Sequence, residues 1–370
     1  MNLFLLKRKK QTKKHSNTSI LIDLTTLRHP NCGLGQFALN FGKHLSLQVP
    51  DDLKLTLYVP KQFNGYFGNN VTYLNYRKTY RRFPFLLPKF DIWHSTYQLS
   101  RNTPPPTAKV ILTLHDLNVL YEKERIKALH YLSKIQKEVD RADVITTVSH
   151  FSAGEISNHL KGNKKPTVIY CGVEQLENKQ MEAPDFIQHK HKSFLFTIGE
   201  VKAKKNFHVL LDAMKLMPEY DLYISGNLNS SYANMLQDRI TKEKIENVFL
   251  TDIIEDQYRI WMYAHCTAFV FPSKFEGFGL PIIEAMQFNK PVCSSQMTSL
   301  KEIGGNMAYF FENFEPEHIK DTVTRAIYDY QQHPELAAKA KQYALQFSHE
   351  SNVKEYINLY RSMRNNLSAE

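Results

Sequence analysis

From residue 18 onward, short runs of β-branched and apolar residues alternate with stretches of helical spacing. Ser19 to Leu24, Leu53 to Val59, Val110 to Leu114, Val144 to Val148 and Thr167 to Tyr170 read as strands. Between Val173 and Lys192 the periodicity lapses and polar and charged residues gather, as in a linker. A second series then repeats the rhythm: Phe194 to Ile198, Asp221 to Ser225, Val248 to Leu250, Ala268 to Phe271 and Pro291 to Ser294. Strand–helix alternation builds parallel sheets. The pattern therefore predicts an α/β protein of two tandem doubly wound, Rossmann-like domains facing an interdomain cleft. The expected boundaries are a tail at 1–17, a first domain at 18–172, a linker at 173–192, a second domain at 193–348 and a closing helical segment at 349–370. From Pro334 to Met363, positions including Leu336, Ala340, Phe347, Val353, Tyr356 and Tyr360 recur at helical spacing, which predicts a packing face.

Ligands of open parallel sheets gather beyond the carboxyl ends of the strands. Small and polar residues stand there. Gly33 and Gly35 follow the first predicted strand, His115 and Asp116 the third, and Ser149 the fourth. In the second series Gly199, Gly226 and Ser273 to Glu276 hold the equivalent places.

A chain of 370 residues with 42% apolar content can fill two cores. The four cysteines, Cys32, Cys171, Cys266 and Cys293, are scattered without C-x-x-C spacing or neighbouring histidines. That argues against a zinc site or a disulfide framework and for a reducing compartment. The net charge of +10 is concentrated at the start, where Lys7, Arg8, Lys9, Lys10, Lys13 and Lys14 precede the first acid, Asp23. The apolar run Leu3 to Leu6 comes before these charges, the reverse of a secretory signal, and no other run approaches the length of a spanning helix. The expectation is a cytoplasmic protein without a transmembrane anchor. Its tail is either a solvated extension or a weak, reversible contact with anionic lipid on the inner face of the membrane.

The segment Phe271 to Met286, FPSKFEGFGLPIIEAM, leaves a strand and enters a helix. Pro281 suits the first helical position, where its missing N–H is not needed. On that reading Glu276 sits in the loop and Glu284 in the first helical turn, where the helix dipole tolerates a carboxylate. Gly277 and Gly279 let backbone approach a ligand, and free N–H groups at the helix start suit a phosphate. Taken alone, the two glutamates could equally be a loop ion and a helix-start carboxylate serving stability.

This segment resembles the E-x7-E signature of the retaining glycosyltransferases of family 4, which have the two-domain GT-B fold. Thr197 to Asn206, TIGEVKAKKN, is similar to that family's donor-phosphate loop. Leu114 to Leu117, Ala142 to Ser149, Val168 to Val173 and Gly33 to Phe37 are similar to its amino-terminal landmarks, so that the resemblance spans residues 18 to 350. It implies that Glu284 binds the ribose hydroxyls of a nucleotide diphosphate sugar and that Glu276 contacts the donor sugar beside Gly277 and Phe278. The N–H groups of Gly279 and Leu280 would hold the diphosphate. Lys204 and Lys205 would neutralise it near Gly199, Gly35 would belong to the glycine loop, and His115 would lie at the sugar. The chain departs from the pattern at Glu200, where many relatives have arginine, and at Asn289 and Asn306.

No D-x-D occurs in the chain, so the implied reaction needs no metal and no cofactor besides the co-substrate. The implied function is transfer of a hexose, mannose among the candidates, with retention, to a saccharide or lipid-linked acceptor in polysaccharide or lipopolysaccharide biosynthesis. The mixed basic and aromatic run Arg77 to Leu87 could meet such an acceptor or the membrane surface, and nothing accompanies it that reads nucleic acid. Competing readings are a non-catalytic nucleotide-sugar scaffold and a glycoside phosphorylase or hydrolase, since paired carboxylates also serve hydrolysis.

Overall fold

The computed structural model describes residues 17–30, 32–100, 102–187 and 192–367. The lysine-rich tail lies outside them. Strands β1 (Thr18–Asp23), β2 (Leu53–Val59), β3 (Thr72–Asn75), β4 (Ile92–Ser95), β5 (Lys109–Thr113), β6 (Val144–Thr147) and β7 (Thr167–Val168) form one sheet in the order β3-β2-β1-β4-β5-β6-β7. Strands β8 (Phe194–Ile198), β9 (Asp221–Ser225), β10 (Val248–Thr251), β11 (Ala268–Phe271), β12 (Val292–Ser295) and β13 (Tyr309–Phe311) form a second, in the order β10-β9-β8-β11-β12-β13. The strand pairs within both sheets are parallel. Helices cover both faces, which is why the central strands read as continuous apolar runs.

Three strands escaped the sequence pattern: β3, β4 and β13. β3 and β13 are partly exposed strands at the sheet edges and lack a continuous apolar run, and Ile92-Trp93-His94-Ser95 is half polar although wholly buried. The strands expected to be third and fourth are therefore β5 and β6. Gly33 and Gly35, expected in a loop, instead open the helix Gly33–Leu47.

The helical pattern from Pro334 to Met363 breaks into the helices Pro334–Ala344 and His349–Leu367, with a tight turn at Leu345–Phe347 between them. The turn brings Phe347 against Tyr170 and Phe278, and its carbonyl accepts the Val173 N–H at 2.6 Å. Beyond the turn the last helix crosses onto the first sheet. Val353, Tyr356, Ile357, Tyr360 and Met363 enter the core that also holds Ile20, Ile22 and Phe41. His94 bridges the two elements, its Nδ1 lying 2.7 Å from the Tyr360 hydroxyl and its Nε2 2.8 Å from Thr113 Oγ1.

Tyr360→Ala would empty a fully buried ring and strip His94 of one partner. We expect a loss of about 3–5 kcal/mol in chemical denaturation, from cavity and lost hydrogen bond together. A change under 1 kcal/mol would mean that this helix is not integral to the first domain.

Candidate active site

In the second sheet β8 lies between β9 and β11, so the connections leaving β8 and β11 diverge and open a crevice at their carboxyl ends. The two motif loops, Gly199 to Lys205 after β8 and Ser273 to Gly279 after β11, meet there. Lys205, only 8% exposed, reaches across so that its Nζ lies 2.5 Å from Glu276 Oε1 and 4.9 Å from the centre of the Phe271 ring. Its stem runs along Gly199, where φ is +152° and a Cβ would stand 3.0 Å from Lys205 Cε. A side chain at Gly199 would push the ammonium off its partner.

The Glu276 loop is held by its own backbone. The Glu276 N–H donates to Thr298 Oγ1 at 3.1 Å, and Ser299 Oγ lies 2.9 Å from the carbonyls of both Glu276 and Phe278. Gly279, at φ +112°, turns the chain into the helix Leu280–Gln287, and a Cβ there would lie 2.6 Å from Leu300 Cδ2. Pro281 is thus the second helical residue rather than the first, and Glu284 is the fifth, beyond the first turn where the sequence had placed it. The dipole is not what secures this carboxylate. Arg259 Nη1 sits 2.8 Å from Glu284 Oε1, and the Tyr263 hydroxyl donates to Oε2 at 2.8 Å. The charge of Glu284 holds the guanidinium protonated, while burial and then Glu284 push the Tyr263 phenol well up. Each carboxylate oxygen keeps a second lone pair for a ligand. Sequence reasoning missed Arg259 and Tyr263. Their one signal was a spacing of four, which puts both on one face of the helix Asp256–His265.

The first domain supplies the opposite wall. Ser149 Oγ donates to the Gly277 carbonyl at 2.8 Å, and a Cβ at Gly277 would stand 2.9 Å from Asp116 Oδ2. Lys204 turns away from Lys205 to pair with Glu122 at 2.8 Å, and Tyr121 stacks on Phe275 with centroids 4.7 Å apart. Glu302 accepts from the N–H groups of His150 and Phe151 at 2.8 and 3.0 Å, closing another point across the domains.

His115 is buried against Phe37, and burial lowers its pKa to about 4. It is neutral at pH 7, and since its Nε2 lies 2.9 Å from the Thr96 carbonyl, the proton belongs on Nε2. Nδ1 is left as an acceptor. Burial raises the carboxyl pKa of neighbouring Asp116.

The resulting cleft has a volume of about 510 Å³ and is lined by Lys204, Lys205, His115 and the run Glu276 to Leu280. Gly33 also lines it. Gly35, Gly199 and Glu284 do not: Gly35 packs against the His29 carbonyl, Gly199 lies under Lys205, and Glu284 stands to the side with Arg259. Among the described residues no group of three or more His, Cys, Asp or Glu could hold a metal ion.

Three buried histidines predict an acid limit. Burial lowers His94 to about 3, and His115 and His349 to about 4. The unfolded chain takes up these protons below about pH 6.5 while the folded chain resists them, so stability is full above that value and is lost as pH falls towards 4. Between pH 7.5 and pH 5 we expect a loss of about 2 kcal/mol for each, and a fall in Tm on the order of 10 °C. A Tm unchanged over that interval would contradict this protonation account.

Residues 179–347 match the family model described as glycosyl transferases group 1. O-antigen chain mannosyltransferase B of Escherichia coli is 25% identical over 92% of this chain and 99% of its own length. O-antigen chain mannosyltransferase RfbU of Salmonella typhimurium is 24% identical over 91% of this chain and 98% of its own. Among solved structures, the sucrose-phosphate synthase of Thermosynechococcus elongatus superposes with a TM-score of 0.73 at 16% identity, covering 95% of this chain and 100% of the other. Anabaena HepE in complex with UDP and glucose gives 0.70 at 16% identity, covering 93% and 100%. The structures share the GT-B architecture of two facing Rossmann-like domains. Residues 179–347 thus form a group 1 glycosyltransferase domain, and the similarity to O-antigen mannosyltransferases runs along both sheets.

Proposed function

We propose that this enzyme transfers a hexose, specifically mannose, from a nucleotide diphosphate sugar to a saccharide or lipid-linked saccharide, with retention, in building a lipopolysaccharide or related surface polysaccharide. The observation that carries the reading is the buried Lys205–Glu276 pair at 2.5 Å, set in the interdomain cleft within the region matched by the family model. Mannose and the polysaccharide context rest on the O-antigen mannosyltransferases that match over nearly the whole chain.

In this account Glu284 accepts hydrogen bonds from the ribose diol, and the N–H groups of Gly279 and Leu280 bind the diphosphate at the start of a helix. Glu276 orients the donor sugar, and His115 Nδ1 accepts from one of its hydroxyls. The acceptor oxygen bonds to the anomeric carbon on the face from which the diphosphate departs. The electron pair of the breaking bond passes to the diphosphate oxygen, which also takes the acceptor's proton. Lys205, backed by Lys204 and the helix start, stabilises the charge that develops there. These groups supply the stabilisation without a metal, so chelator should leave the rate unchanged.

Among the described residues no helix is long and apolar enough to cross a membrane. Phe83, Phe85 and Leu86 are exposed, Phe85 by 77%, beside Arg81 and Arg82. This surface, with the basic tail, fits peripheral contact with the inner face of the cytoplasmic membrane. Sedimentation with anionic vesicles tests it, and Phe85→Ser should weaken binding.

The test of function is incubation with UDP-, GDP- and dTDP-hexoses and a mannose-terminated oligosaccharide, read by mass spectrometry and by NMR of the new linkage. The expected product gains one hexose in the donor's anomeric configuration. Sugar released without any nucleotide would indicate a hydrolase, and binding without transfer a scaffold.

A further inference from the structure

We propose that the groove at the switch point of the first sheet binds the acceptor through an anionic group, and that the acceptor is a glycan bearing a phosphate ester. The proposal rests on the transferase reading and names the substrate class of its acceptor side.

The groove occupies the place in the first domain that the donor loops occupy in the second. β1 lies between β2 and β4, so the connections after β1 and β4 diverge. Asp23 and Thr25, at the end of β1, are hydrogen-bonded to Ser100 and Asn102, which follow β4, and together they line a groove of about 1070 Å³. That is roughly twice the volume of the interdomain cleft, enough for more than one sugar. The two spaces share Cys32 and Leu34 as lining, so a ligand in the groove reaches the cleft.

Its charge is unbalanced. Arg28, Arg81, Lys134 and Lys137 line it, and among the described residues the last three have no ion-pair partner. The acids beside them are already satisfied. Asp23 accepts from the Thr25 N–H and hydroxyl at 3.0 and 2.7 Å, from Ser100 at 2.5 Å and from Asn102 at 2.8 Å. Glu138 faces Arg141 at 3.3 Å. Arg28 is fixed by a hydrogen bond to the Thr25 carbonyl at 3.1 Å and lies 4.9 Å over the Tyr76 ring.

Two residues of the lining also carry buried polar atoms that lack a partner. Asn102 is 5% exposed, yet its Oδ1 accepts no hydrogen bond, and the hydroxyl of Thr26 is likewise buried and unpaired. Buried polar atoms of this kind are normally bonded. A carbonyl oxygen waiting for a donor suits a sugar hydroxyl, whereas the cations suit an anion. One molecule carrying both is an acidic glycan, and a phosphate ester, with a charge of about −1.5 to −2, matches several cations better than a single carboxylate.

The test uses the full chain and calorimetry with mannobiose, mannobiose 1-phosphate and inorganic phosphate as probes. The 1-phosphate should bind at least tenfold more tightly than either of the others, and this preference should shrink as salt is raised. The combined substitution Arg81→Ser, Lys134→Ser and Lys137→Ser should abolish the preference while leaving nucleotide binding intact, which also reports that the variant is folded. Equal binding of the two sugars, no binding of either, inorganic phosphate binding as tightly as the sugar phosphate, or a preference that survives the substitutions would each overturn the proposal. Nucleotide binding by the unsubstituted chain is measured in parallel. Should it fail while the sugar phosphate binds, the donor reading falls and the groove stands.

Discussion

Lys205→Ala is expected to lower kcat for sugar transfer by about 10²- to 10³-fold, the loss typical of removing one preorganised group from a developing negative charge. The effect is large because the ammonium is dry and aimed. It is 8% exposed, Glu276 and the Phe271 ring hold it from two sides, and Gly199 leaves room for its stem. An exposed lysine would be screened by water and replaceable. Nucleotide affinity should change far less than kcat, since the charge to be stabilised appears only as the bond breaks. Lys205→Arg should rescue little, because the bulkier guanidinium must fit the slot that the Gly199 backbone bounds. Steady-state kinetics separate these effects. A kcat within threefold of the unsubstituted enzyme would remove Lys205 from the chemistry.

Glu284→Ala is expected to act on binding instead, raising the nucleotide Kd by about 100-fold through the loss of two hydrogen bonds to a charged acceptor. The same substitution leaves the mostly buried Arg259 guanidinium with Asp256 alone as its carboxylate partner, so Tm should fall as well. Calorimetry at a temperature where the variant is folded isolates the first effect, and Glu284→Gln limits the second by keeping a neutral acceptor. A ribose diol can donate twice to Glu284 and a 2′-deoxyribose only once. UDP or GDP should therefore outbind dTDP in the unsubstituted enzyme, and that gap should close in the variant.

How much of this was legible beforehand depended on how local each feature is. Phe194–Ile198, Asp221–Ser225 and Ala268–Phe271 stood out because central parallel strands are buried on both faces, and Leu53–Val59 because its apolar positions alternate with Lys54 and Thr56; the bounds of all four could be read directly. Ile92–Ser95 could not be read, since His94 is admitted to the core only by Tyr360 and Thr113, partners distant in sequence. Missing β4 concealed the switch point of the first sheet, and with it the groove. In the active site the residues Glu276 to Leu280, Lys205 and His115 were named from short motifs and do line one cleft. What secures them was not visible. Pro281 was read one position early, which moved Glu284 into the first turn and made the dipole look sufficient, whereas Arg259 and Tyr263 hold it from a neighbouring helix. Likewise Lys204 read as a twin of Lys205, but its partner Glu122 belongs to the other domain.

The opposing wall gives the two lysines different duties. On the proposed function Lys205 would serve the leaving group, whereas Lys204 ties the second domain to Glu122 of the first. A diphosphate entering the cleft would compete with Glu122 for Lys204, which couples donor binding to the relation between the domains.

The most direct test of the central claim is a structure of the enzyme with the nucleotide diphosphate that it binds most tightly. The account predicts the ribose hydroxyls within hydrogen-bond distance of Glu284, and the diphosphate on the N–H groups of Gly279 and Leu280 beside Lys205. A nucleotide seated elsewhere, with Glu284 still facing only Arg259 and Tyr263, would contradict it.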